Sequence, residues 1–333
     1  MQRVTVVGAG SWGTTMASLV SANAPVRLWC RRRELATEIN ARHTNEQYLP
    51  GFALEPSLEA DCDLGAALAG AAMVAMAVPS HVFRSVLAEV VPHLGPGVPV
   101  ISLSKGLEQG SHRRMSEIVE ELAPGHPVGV LTGPNLAREV LAGSPAAAVL
   151  AMGDVAAAER LVPSFAREHF RVYVGHDVVG CELGGALKNV VALAVGMAEG
   201  LGLADNSRAA LITRGLAELT RLGVAMGGEP ATFAGLAGLG DLLATCLSPQ
   251  SRNHYVGVEL GRGRTLREIT DAMQQVAEGP KTARVVLELA AEHRLEMPIT
   301  AELCAVLDGG RDPQVAYRNL LGRSLRPEPE RAG

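Results

Sequence analysis

The stretch VTVVGAGSWGTTMASLV, residues 4–20, decides how the first half of this chain folds. Its four β-branched residues predict a buried strand, and Gly8, Gly10 and Gly13 follow before a helical pattern begins. In a G-x-G-x-x-G turn the first glycine permits the sharp bend and the second lets a pyrophosphate approach the backbone. The third lets helix and strand pack closely, and the N–H groups at the helix start attract phosphates. We therefore predict a dinucleotide-binding turn here.

The second predicted strand ends in WCRRRE, residues 29–34, where NAD-binding proteins usually carry an acidic residue for the ribose 2′-hydroxyl. Arg31, Arg32 and Arg33 stand there instead, and arginines suit a 2′-phosphate. The alternative is a solvated basic loop before a helix. We expect NADP(H) to be favoured, with NAD(H) still possible.

The order of the predicted elements indicates two domains. Strands separated by helical segments predict a parallel sheet with crossover helices, and the β pattern ceases after about Gly175. We predict an α/β Rossmann-type dinucleotide-binding domain over residues 1–176, an all-α helical substrate domain over 177–325 and a frayed tail over 326–333, with a ligand between the domains at the carboxyl ends of the strands. The predicted strands are 3–8, 26–30, 73–78, 98–103, 127–133, 146–151 and 171–175. The predicted later helices are 182–201, 206–226, 230–248, 253–262, 266–276, 281–294 and 299–308.

Composition excludes several classes of protein. The 333 residues are 47% hydrophobic and 20% charged, which is typical of a globular protein, and the net charge of −5 gives no basic field for nucleic acid. The five cysteines form no pattern typical of disulfides or zinc ligands, so no metal is expected. The sequence shows no signal peptide and no predicted membrane span. We expect a cytoplasmic protein.

The segment GGALKNVVALAVGMAEG, residues 184–200, reads as an almost wholly apolar helix, yet it carries Lys188 and Asn189. One interpretation is that Lys188 extends its ammonium to water from a partly exposed edge. The other is catalytic, because hydride transfer at a carbinol carbon needs a group that exchanges the hydroxyl proton. The small residues Gly184, Gly185 and Ala192 on the same helix predict a shallow notch beside the lysine with room for a small ligand.

Three further stretches carry polar groups suited to a ligand, and each also has a plain structural interpretation. Lys105 in LSKGLE follows a strand and would supply a second cation, or is an ordinary lysine at a strand end. Asp241 in AGLGDLLATC begins a helix, where an aspartate often serves only as an N-cap. In SPQSRNHYVG, Ser251, Arg252 and Asn253 together with helix N–H groups would suit a phosphate, whereas a capping serine with solvated neighbours is the alternative.

The chain as a whole resembles the NAD(P)-dependent glycerol-3-phosphate dehydrogenases of the bacterial type. The resemblance covers nearly its whole length and rests on motifs in the same order. These motifs are GAGSWGT (8–14), YLPG (48–51), VPSHVF (78–83), SKGLE (104–108), GPNLAREV (133–140), GGALKNVVALAVGMAEGLGLADN (184–206), ALITRGLAE (210–218), AGLGDLLATCLSPQSRNH (237–254) and VAEGPKTA (276–283).

The resemblance implies that the chain interconverts dihydroxyacetone phosphate and sn-glycerol 3-phosphate, the backbone of glycerophospholipids. It implies that Lys188 is the proton donor and acceptor and that Lys105 and Asp241 assist it. The implied substrate residues are Lys105, Gly133, Asn135, Lys188, Asn189, Asp241, Ser251, Arg252 and Asn253. The implied cofactor residues are Gly8, Gly10, Ser11, Trp12, Gly13, Arg31, Arg32, Tyr48, Lys105, Ala137, Arg252, Val276 and Glu278. Serine or threonine is common in this family where Asn135 stands here.

Two other functions are compatible with parts of the pattern. The β-hydroxyacid and 6-phosphogluconate dehydrogenases share the two-domain layout and a lysine on the first helix of the second domain, but they need a site for a substrate carboxylate. A non-catalytic NADPH sensor would need cofactor contacts and no proton relay, so Lys188, Lys105 and Asp241 argue against it. Apolar helical faces in the second domain also predict a homodimer.

Overall fold

The computed structural model describes residues 3–273 and 277–322, and within them the chain forms two compact units. The first unit ends at Glu182 and the second begins at Leu183. The division therefore lies inside a helix, Val178–Gly200, whereas the sequence predicted it before that helix, near residue 176. The tail predicted to fray, 326–333, lies outside the described residues.

The first unit is built on one sheet with the strand order β3-β2-β1-β4-β5-β6-β7-β8. The first six of these strands run parallel, as predicted, and their order is that of a Rossmann domain. The strands are β1 (Val4–Val7), β2 (Val26–Trp29), β3 (Glu59–Asp61), β4 (Met73–Met76), β5 (Val100–Ser102), β6 (Val128–Thr132), β7 (Ala146–Met152) and β8 (Phe170–Gly175).

The predicted parallel direction does not hold at one edge of the sheet. β7 pairs antiparallel with β6, and β8 then runs parallel to β7. The prediction also missed β3, because a three-residue strand of sequence EAD shows neither an apolar run nor an alternating pattern. β3 forms at the sheet edge because its backbone pairs with β2, not because of its own side chains.

The central strands form because both faces of the sheet are covered. All four residues of β1 and all four of β4 are buried, which explains their nearly continuous apolar sequence. Alternate side chains of β1 enter different clusters: Val4 and Val6 pack with Met16 and Leu28 on one face, and Val7 packs on the other. The helices and short helical turn of this unit are α1 (Ser11–Ser21), α2 (Arg33–Arg42), α3 (Leu64–Leu68), α4 (Ser80–Val90), a 3-10 turn (Val91–His93), α5 (Met115–Leu122), α6 (Ala137–Leu141) and α7 (Val155–Phe165).

The second unit is helical throughout the residues described, as predicted. Its helices begin with the one that crosses the division between units. They are α8 (Val178–Gly200), α9 (Asp205–Ala225), α10 (Pro230–Ala234), α11 (Asp241–Leu247), α12 (Arg252–Gly261), α13 (Leu266–Ala272), α14 (Gly279–Glu292), α15 (Pro298–Leu307) and α16 (Pro313–Leu321).

Two predictions for this unit need correction. The segment 230–248 is not one helix, because a π-helical turn, Leu236–Gly240, separates α10 from α11. Two of its five residues, Gly238 and Gly240, are glycines, and the turn closes with Gly240 N–H donating to the Gly235 carbonyl at 3.0 Å. The last helix, α16, was not predicted.

Glycines let α8 and α12 approach until their backbones touch. A Cβ at Gly196 or Gly200 of α8 would lie 2.2 Å or 2.1 Å from a carbonyl oxygen of α12. The reverse holds for Gly257 and Gly261 of α12, which face carbonyl oxygens of α8 at 2.1 Å and 2.3 Å. Because the two pairs are each four residues apart, the contact runs along one face of each helix. Larger side chains on these faces would force the helices apart.

By length and composition α8 is apolar enough to cross a membrane, and it is the one such helix in the described residues. However, 89% of its most apolar window is buried inside the protein. Its apolar sequence is therefore explained by its place in the core of the second unit.

Candidate active site

The three glycines of the predicted dinucleotide turn have the three properties expected of them. Gly8 has a φ of +112°, and a Cβ there would lie 2.7 Å from the Ala77 carbonyl oxygen beyond β4. A Cβ at Gly13 would lie 1.9 Å from the Gly8 carbonyl oxygen, so the helix can approach the strand only with glycine. At Gly10 a Cβ would meet no atom within 4 Å, which leaves the backbone open to a ligand.

The start of α1 offers its amides to that open side. Gly10 is the N-cap and lacks a side chain that could accept from the first-turn N–H groups. Ser11 donates from Oγ to the Tyr48 carbonyl at 3.0 Å, and Thr15 donates to the Ala137 carbonyl at 3.3 Å. The structure thus places Tyr48 and Ala137 against α1, the helix that begins with Ser11. One cofactor site formed by these three residues would require this.

The arginines after β2 lie on the surface next to this turn. Arg31 and Arg32 are exposed, and Arg32 donates a hydrogen bond to the side chain of Gln47, one residue before Tyr48. Arg32 is also the residue that precedes α2, and its carbonyl accepts from the Cys30 thiol at 3.5 Å. Burial raises the pKa of that thiol to about 11, so Cys30 stays protonated.

Trp12 and Asn135 each carry a buried polar atom that has no hydrogen-bond partner in the structure. These atoms are the indole Nε1 of Trp12 and the amide Oδ1 of Asn135. Buried polar atoms are rarely left unpaired, so each is a candidate for contact with a ligand. Asn135 is held by its Nδ2, which donates to the Ala147 carbonyl at 3.0 Å.

Lys105 and Gly133 are brought together at the carboxyl ends of β5 and β6. The ammonium Nζ of Lys105 donates to the Gly133 carbonyl at 3.0 Å. Gly133 has a φ of +147°, and a Cβ there would lie 2.9 Å from the Ala147 carbonyl oxygen, which explains the glycine. This end of a parallel sheet is where such domains place their ligands.

In the second unit Lys188 is buried in an acidic, hydroxyl-bearing cluster. Only 6% of Lys188 and 1% of Asp241 are exposed, so the interpretation that the lysine reaches water is wrong. The Lys188 Nζ donates to Asp241 Oδ1 and, at 2.7 Å, to Thr245 Oγ1. The Thr245 hydroxyl donates in turn to the Asp241 backbone carbonyl at 2.6 Å, so its oxygen is left to accept from the lysine.

The Asp241 carboxylate serves this cluster rather than capping its helix. The N-cap of α11 is Gly240, and the Asp241 side chain contacts Lys188 from the first position of the helix. The π-helical turn before it packs directly on α8, because a Cβ at Gly184 would lie 2.5 Å from the Ala237 carbonyl oxygen. The predicted ligand notch at Gly184 is therefore wrong: the turn that presents Asp241 fills it.

Thr245 is a member of the cluster that was missed in the sequence. Its signal was available, because a residue four positions after Asp241 lies on the same face of a helix. Cys246 follows it and is buried, and burial raises the pKa of its thiol to about 12 despite the nearby Lys188. The cluster therefore contains an amine, a carboxylate and a hydroxyl, but no thiolate.

The three residues of the SRN segment differ in burial and in their hydrogen bonds. Ser251 is the N-cap of α12, with its Oγ accepting from His254 N–H at 3.2 Å, and Arg252 is exposed at the first helical position. Asn253 is buried: its Nδ2 donates to Asn189 Oδ1 at 2.9 Å, and its Oδ1 accepts from Gly279 N–H at 2.9 Å. The amide of Asn253 thus connects α8, next to Lys188, with the start of α14.

The remaining predicted cofactor residues of this unit are only partly described. Glu278 is the residue that precedes α14, whereas Val276 lies outside the described residues. Within residues 3–273 and 277–322 there is no group of three or more histidine, cysteine, aspartate or glutamate side chains that could hold a metal ion.

Comparison with known proteins identifies the relatives of this arrangement. The family model for the NAD-dependent glycerol-3-phosphate dehydrogenase N-terminus matches residues 3–158 of this chain, and the family model for the C-terminus matches residues 177–318. A glycerol-3-phosphate dehydrogenase [NAD(P)+] of Sphingopyxis alaskensis is 56% identical, with 98% of each chain covered. One of Mycobacterium tuberculosis is 52% identical over 96% of this chain and 94% of its own.

Solved structures agree with the sequence relatives. The crystal structure of glycerol-3-phosphate dehydrogenase from Coxiella burnetii is 39% identical, with a TM-score of 0.92 over 97% of this chain and 99% of its own. A probable 2-dehydropantoate 2-reductase from Bacillus subtilis, 16% identical with a TM-score of 0.56, shares only the fold. The two matching family models and these relatives show that the chain belongs to the NAD-dependent glycerol-3-phosphate dehydrogenase family.

Proposed function

We propose that this chain interconverts dihydroxyacetone phosphate and sn-glycerol 3-phosphate with a nicotinamide cofactor. The observation that supports this most strongly is the buried Lys188–Asp241–Thr245 cluster in a chain that also carries the glycine turn. A buried ammonium is costly to maintain, and a buried ion pair is poor support for stability by itself. Its presence here is explained if a reaction uses the proton on Lys188.

The residues of the glycine turn fit a dinucleotide. The open backbone at Gly10, the first-turn amides of α1 and the unpaired indole nitrogen of Trp12 are all features that such a group would use. When bound, the cofactor supplies or accepts a hydride at its nicotinamide ring. We assign its binding to Gly8, Gly10, Ser11, Trp12, Gly13, Arg31, Arg32, Tyr48, Lys105, Ala137, Arg252, Val276 and Glu278.

Lys188 holds the proton that the substrate oxygen exchanges. During reduction its ammonium donates to the C2 oxygen of the substrate as negative charge develops there, and during oxidation its amine accepts the proton back. Asp241 keeps the Nζ in place by the ion pair and stabilises the ammonium. The Thr245 oxygen accepts a second hydrogen bond from Nζ and so helps to fix its orientation. It can only accept from the lysine because its own hydrogen is donated to the Asp241 carbonyl.

We propose that several polar groups bind the phosphate and the hydroxyl groups of the substrate. Lys105 and the exposed guanidinium of Arg252 supply positive charge, and the first-turn N–H groups of α12 add donors. Asn135 Oδ1 is a buried acceptor suited to a hydroxyl. The full proposed substrate set is Lys105, Gly133, Asn135, Lys188, Asn189, Asp241, Ser251, Arg252 and Asn253.

We propose NADP(H) as the preferred cofactor, with NAD(H) also accepted. The support is the pair of exposed arginines, Arg31 and Arg32, at the end of β2, where an acidic residue would favour NAD. The hydrogen bond from Arg32 to the Gln47 side chain restricts the guanidinium group, which is therefore partly ordered before a 2′-phosphate binds.

The setting of the enzyme follows from its product. We propose a cytoplasmic enzyme that supplies sn-glycerol 3-phosphate for glycerophospholipid synthesis. We also propose that it is a homodimer, because association would cover exposed apolar side chains such as Leu247 and Leu321, which are 65% and 68% exposed.

The test compares the wild-type protein with Lys188→Ala and with Lys281→Ala, a control at an exposed lysine. Consumption of NADPH with dihydroxyacetone phosphate is followed by near-ultraviolet absorbance, and NADPH binding is measured separately. We expect Lys188→Ala to bind NADPH but to lose about three orders of magnitude or more in kcat, and Lys281→Ala to keep wild-type activity.

Three results would contradict the proposal. Activity retained in Lys188→Ala means that the proton comes from another group. Wild-type protein that binds NADPH but never oxidises it with a triose phosphate is a sensor and not an enzyme. Preferred oxidation of a 3-hydroxy acid over glycerol 3-phosphate places the chain functionally with the β-hydroxyacid dehydrogenases.

A further inference from the structure

A buried asparagine beneath the glycine turn has no role in the reaction described above. Asn45 lies in the segment that follows α2 and is 0% exposed. Both hydrogens of its amide have acceptors: Nδ2 donates to the Ala9 carbonyl at 3.1 Å and to Thr14 Oγ1 at 2.9 Å. Its Oδ1 accepts from Tyr48 N–H at 3.3 Å. A polar side chain buried so completely must be held by such bonds, and these connect it to the glycine turn, to α1 and to Tyr48.

The bond to Ala9 fixes the orientation of one particular peptide group. Ala9 is the residue between Gly8 and Gly10, so its carbonyl belongs to the same planar peptide as the Gly10 N–H. In a trans peptide these two groups point in opposite directions. Because Asn45 holds the carbonyl toward the protein interior, the Gly10 N–H is directed away from Asn45, on the far side of the turn.

The same side chain also connects the turn to the segment that carries Tyr48. The Tyr48 N–H is held by the Oδ1 and the backbone carbonyl of Asn45, and the Tyr48 carbonyl accepts from Ser11 Oγ at 3.0 Å. Asn45 therefore lies at the junction of the glycine turn, the first residue of α1 and the Tyr48 segment. Aspartate in this position would lack the two donors, and leucine would lack the donors and the acceptor.

We propose that Asn45 is a positioning residue for the dinucleotide, which presents the Gly10 N–H to the pyrophosphate by holding the Ala9 carbonyl inward. This rests on the proposed function only in that the chain binds a dinucleotide. Because Asn45 is fully buried, it acts on the cofactor through the Ala9–Gly10 peptide and not by direct contact. Its effect is on the affinity for the cofactor and not on the chemical step, because an amide that is already oriented need not be ordered on binding.

The test measures the dissociation constant for NADPH by the change in cofactor fluorescence, in wild type, Asn45→Ala and Asn45→Asp. Asn23→Ala is the matched control: Asn23 also donates two hydrogen bonds from Nδ2, in its case to the backbone carbonyls of Ser164 and Ala166, away from the glycine turn. We expect Asn45→Ala and Asn45→Asp to raise the Kd for NADPH by roughly tenfold or more, because the Gly10 amide must then be ordered on binding, and Asn23→Ala to leave it within about twofold.

Steady-state kinetics separate positioning from general loss of structure. At saturating NADPH the Asn45 variants should keep kcat within about threefold and leave the KM for dihydroxyacetone phosphate unchanged, while the KM for NADPH rises with the Kd. If neither variant folds by circular dichroism, Thr14→Val removes one acceptor of the same amide and should raise the Kd several-fold, whereas Thr14→Ser should keep it.

Two outcomes overturn the proposal. One is a folded Asn45 variant, or a folded Thr14→Val, that binds NADPH as tightly as wild type. The other is an equal rise in Kd for Asn45→Ala and Asn23→Ala, which would show a merely structural role. Failure of the proposed function looks different, since wild type would then bind NADPH without reducing dihydroxyacetone phosphate.

Discussion

The buried ion pair of Lys188 and Asp241 predicts that Lys188→Met and Asp241→Leu each lower the free energy of unfolding, and that combining them restores most of it. In Lys188→Met the Asp241 carboxylate, which is 1% exposed, loses its cation. In Asp241→Leu the ammonium, on a residue 6% exposed, loses the carboxylate that accepts its hydrogen bond and keeps the Thr245 oxygen. The double variant contains neither charge.

The magnitude follows from the burial of both groups. Stranding one partner of a buried pair costs about 3–5 kcal/mol, so each single variant should lose that much free energy of unfolding. Replacing the whole pair by apolar side chains of similar size is often close to neutral, so the double variant should lie within about 2 kcal/mol of wild type. The coupling between the two positions is then at least about 4 kcal/mol.

The assay is urea unfolding followed by far-ultraviolet circular dichroism, with kcat measured on the same preparations. We expect the double variant to recover stability and to remain inactive by about three orders of magnitude, because the proton donor is gone. A loss in the double variant equal to the sum of the single losses within about 0.5 kcal/mol would refute the reasoning, since independent sites add. Recovery of activity together with stability would refute the catalytic role of Lys188.

Two further predictions concern a buried carboxylate and the arginine pair. Burial raises the pKa of Glu218 from its usual 4.5 to about 6, although Ile299 and Thr300 donate to it. The folded state therefore holds its proton more tightly than the unfolded state, so the stability this group contributes is present below about pH 4.5 and is lost as the pH rises past about 6. Wild type should lose about 2 kcal/mol over that range relative to Glu218→Gln in urea titrations, and parallel pH profiles would contradict this. Replacing Arg31 and Arg32 by glutamine should raise the Kd for NADPH about tenfold or more but that for NADH less than about twofold, measured by cofactor fluorescence, and equal weakening would argue against 2′-phosphate recognition.

Local patterns predicted most of what is regular in this chain. β1 and β4 are short runs of apolar residues because both of their faces are covered, and such runs are visible without a partner. The glycine turn could also be predicted from sequence, because a dinucleotide-binding turn requires glycines at the spacing of Gly8, Gly10 and Gly13. The family resemblance added residue roles that periodicity alone could not have assigned.

The sequence analysis missed the features that depend on how strands and helices pair with their neighbours. The edge strand β3 has a polar sequence and exists through its backbone bonds to β2. The antiparallel direction of β7 is a property of its neighbours, because alternation and propensity are the same for either direction. The break at Leu236–Gly240 was hidden, since an apolar stretch rich in glycine fits a helical period until another helix packs against it.

The sequence by itself determined that a lysine lies on an apolar helix and that an aspartate begins another helix later in the chain. Only the tertiary structure decided that the two meet, 53 positions apart, with Thr245 as the second acceptor. In the same way it decided that Asn45 reaches Ala9 under the glycine turn, 36 positions away. The physical reason is that helix and strand formation depends on neighbours along the chain, whereas the partner of a buried polar group is set by which elements pack together.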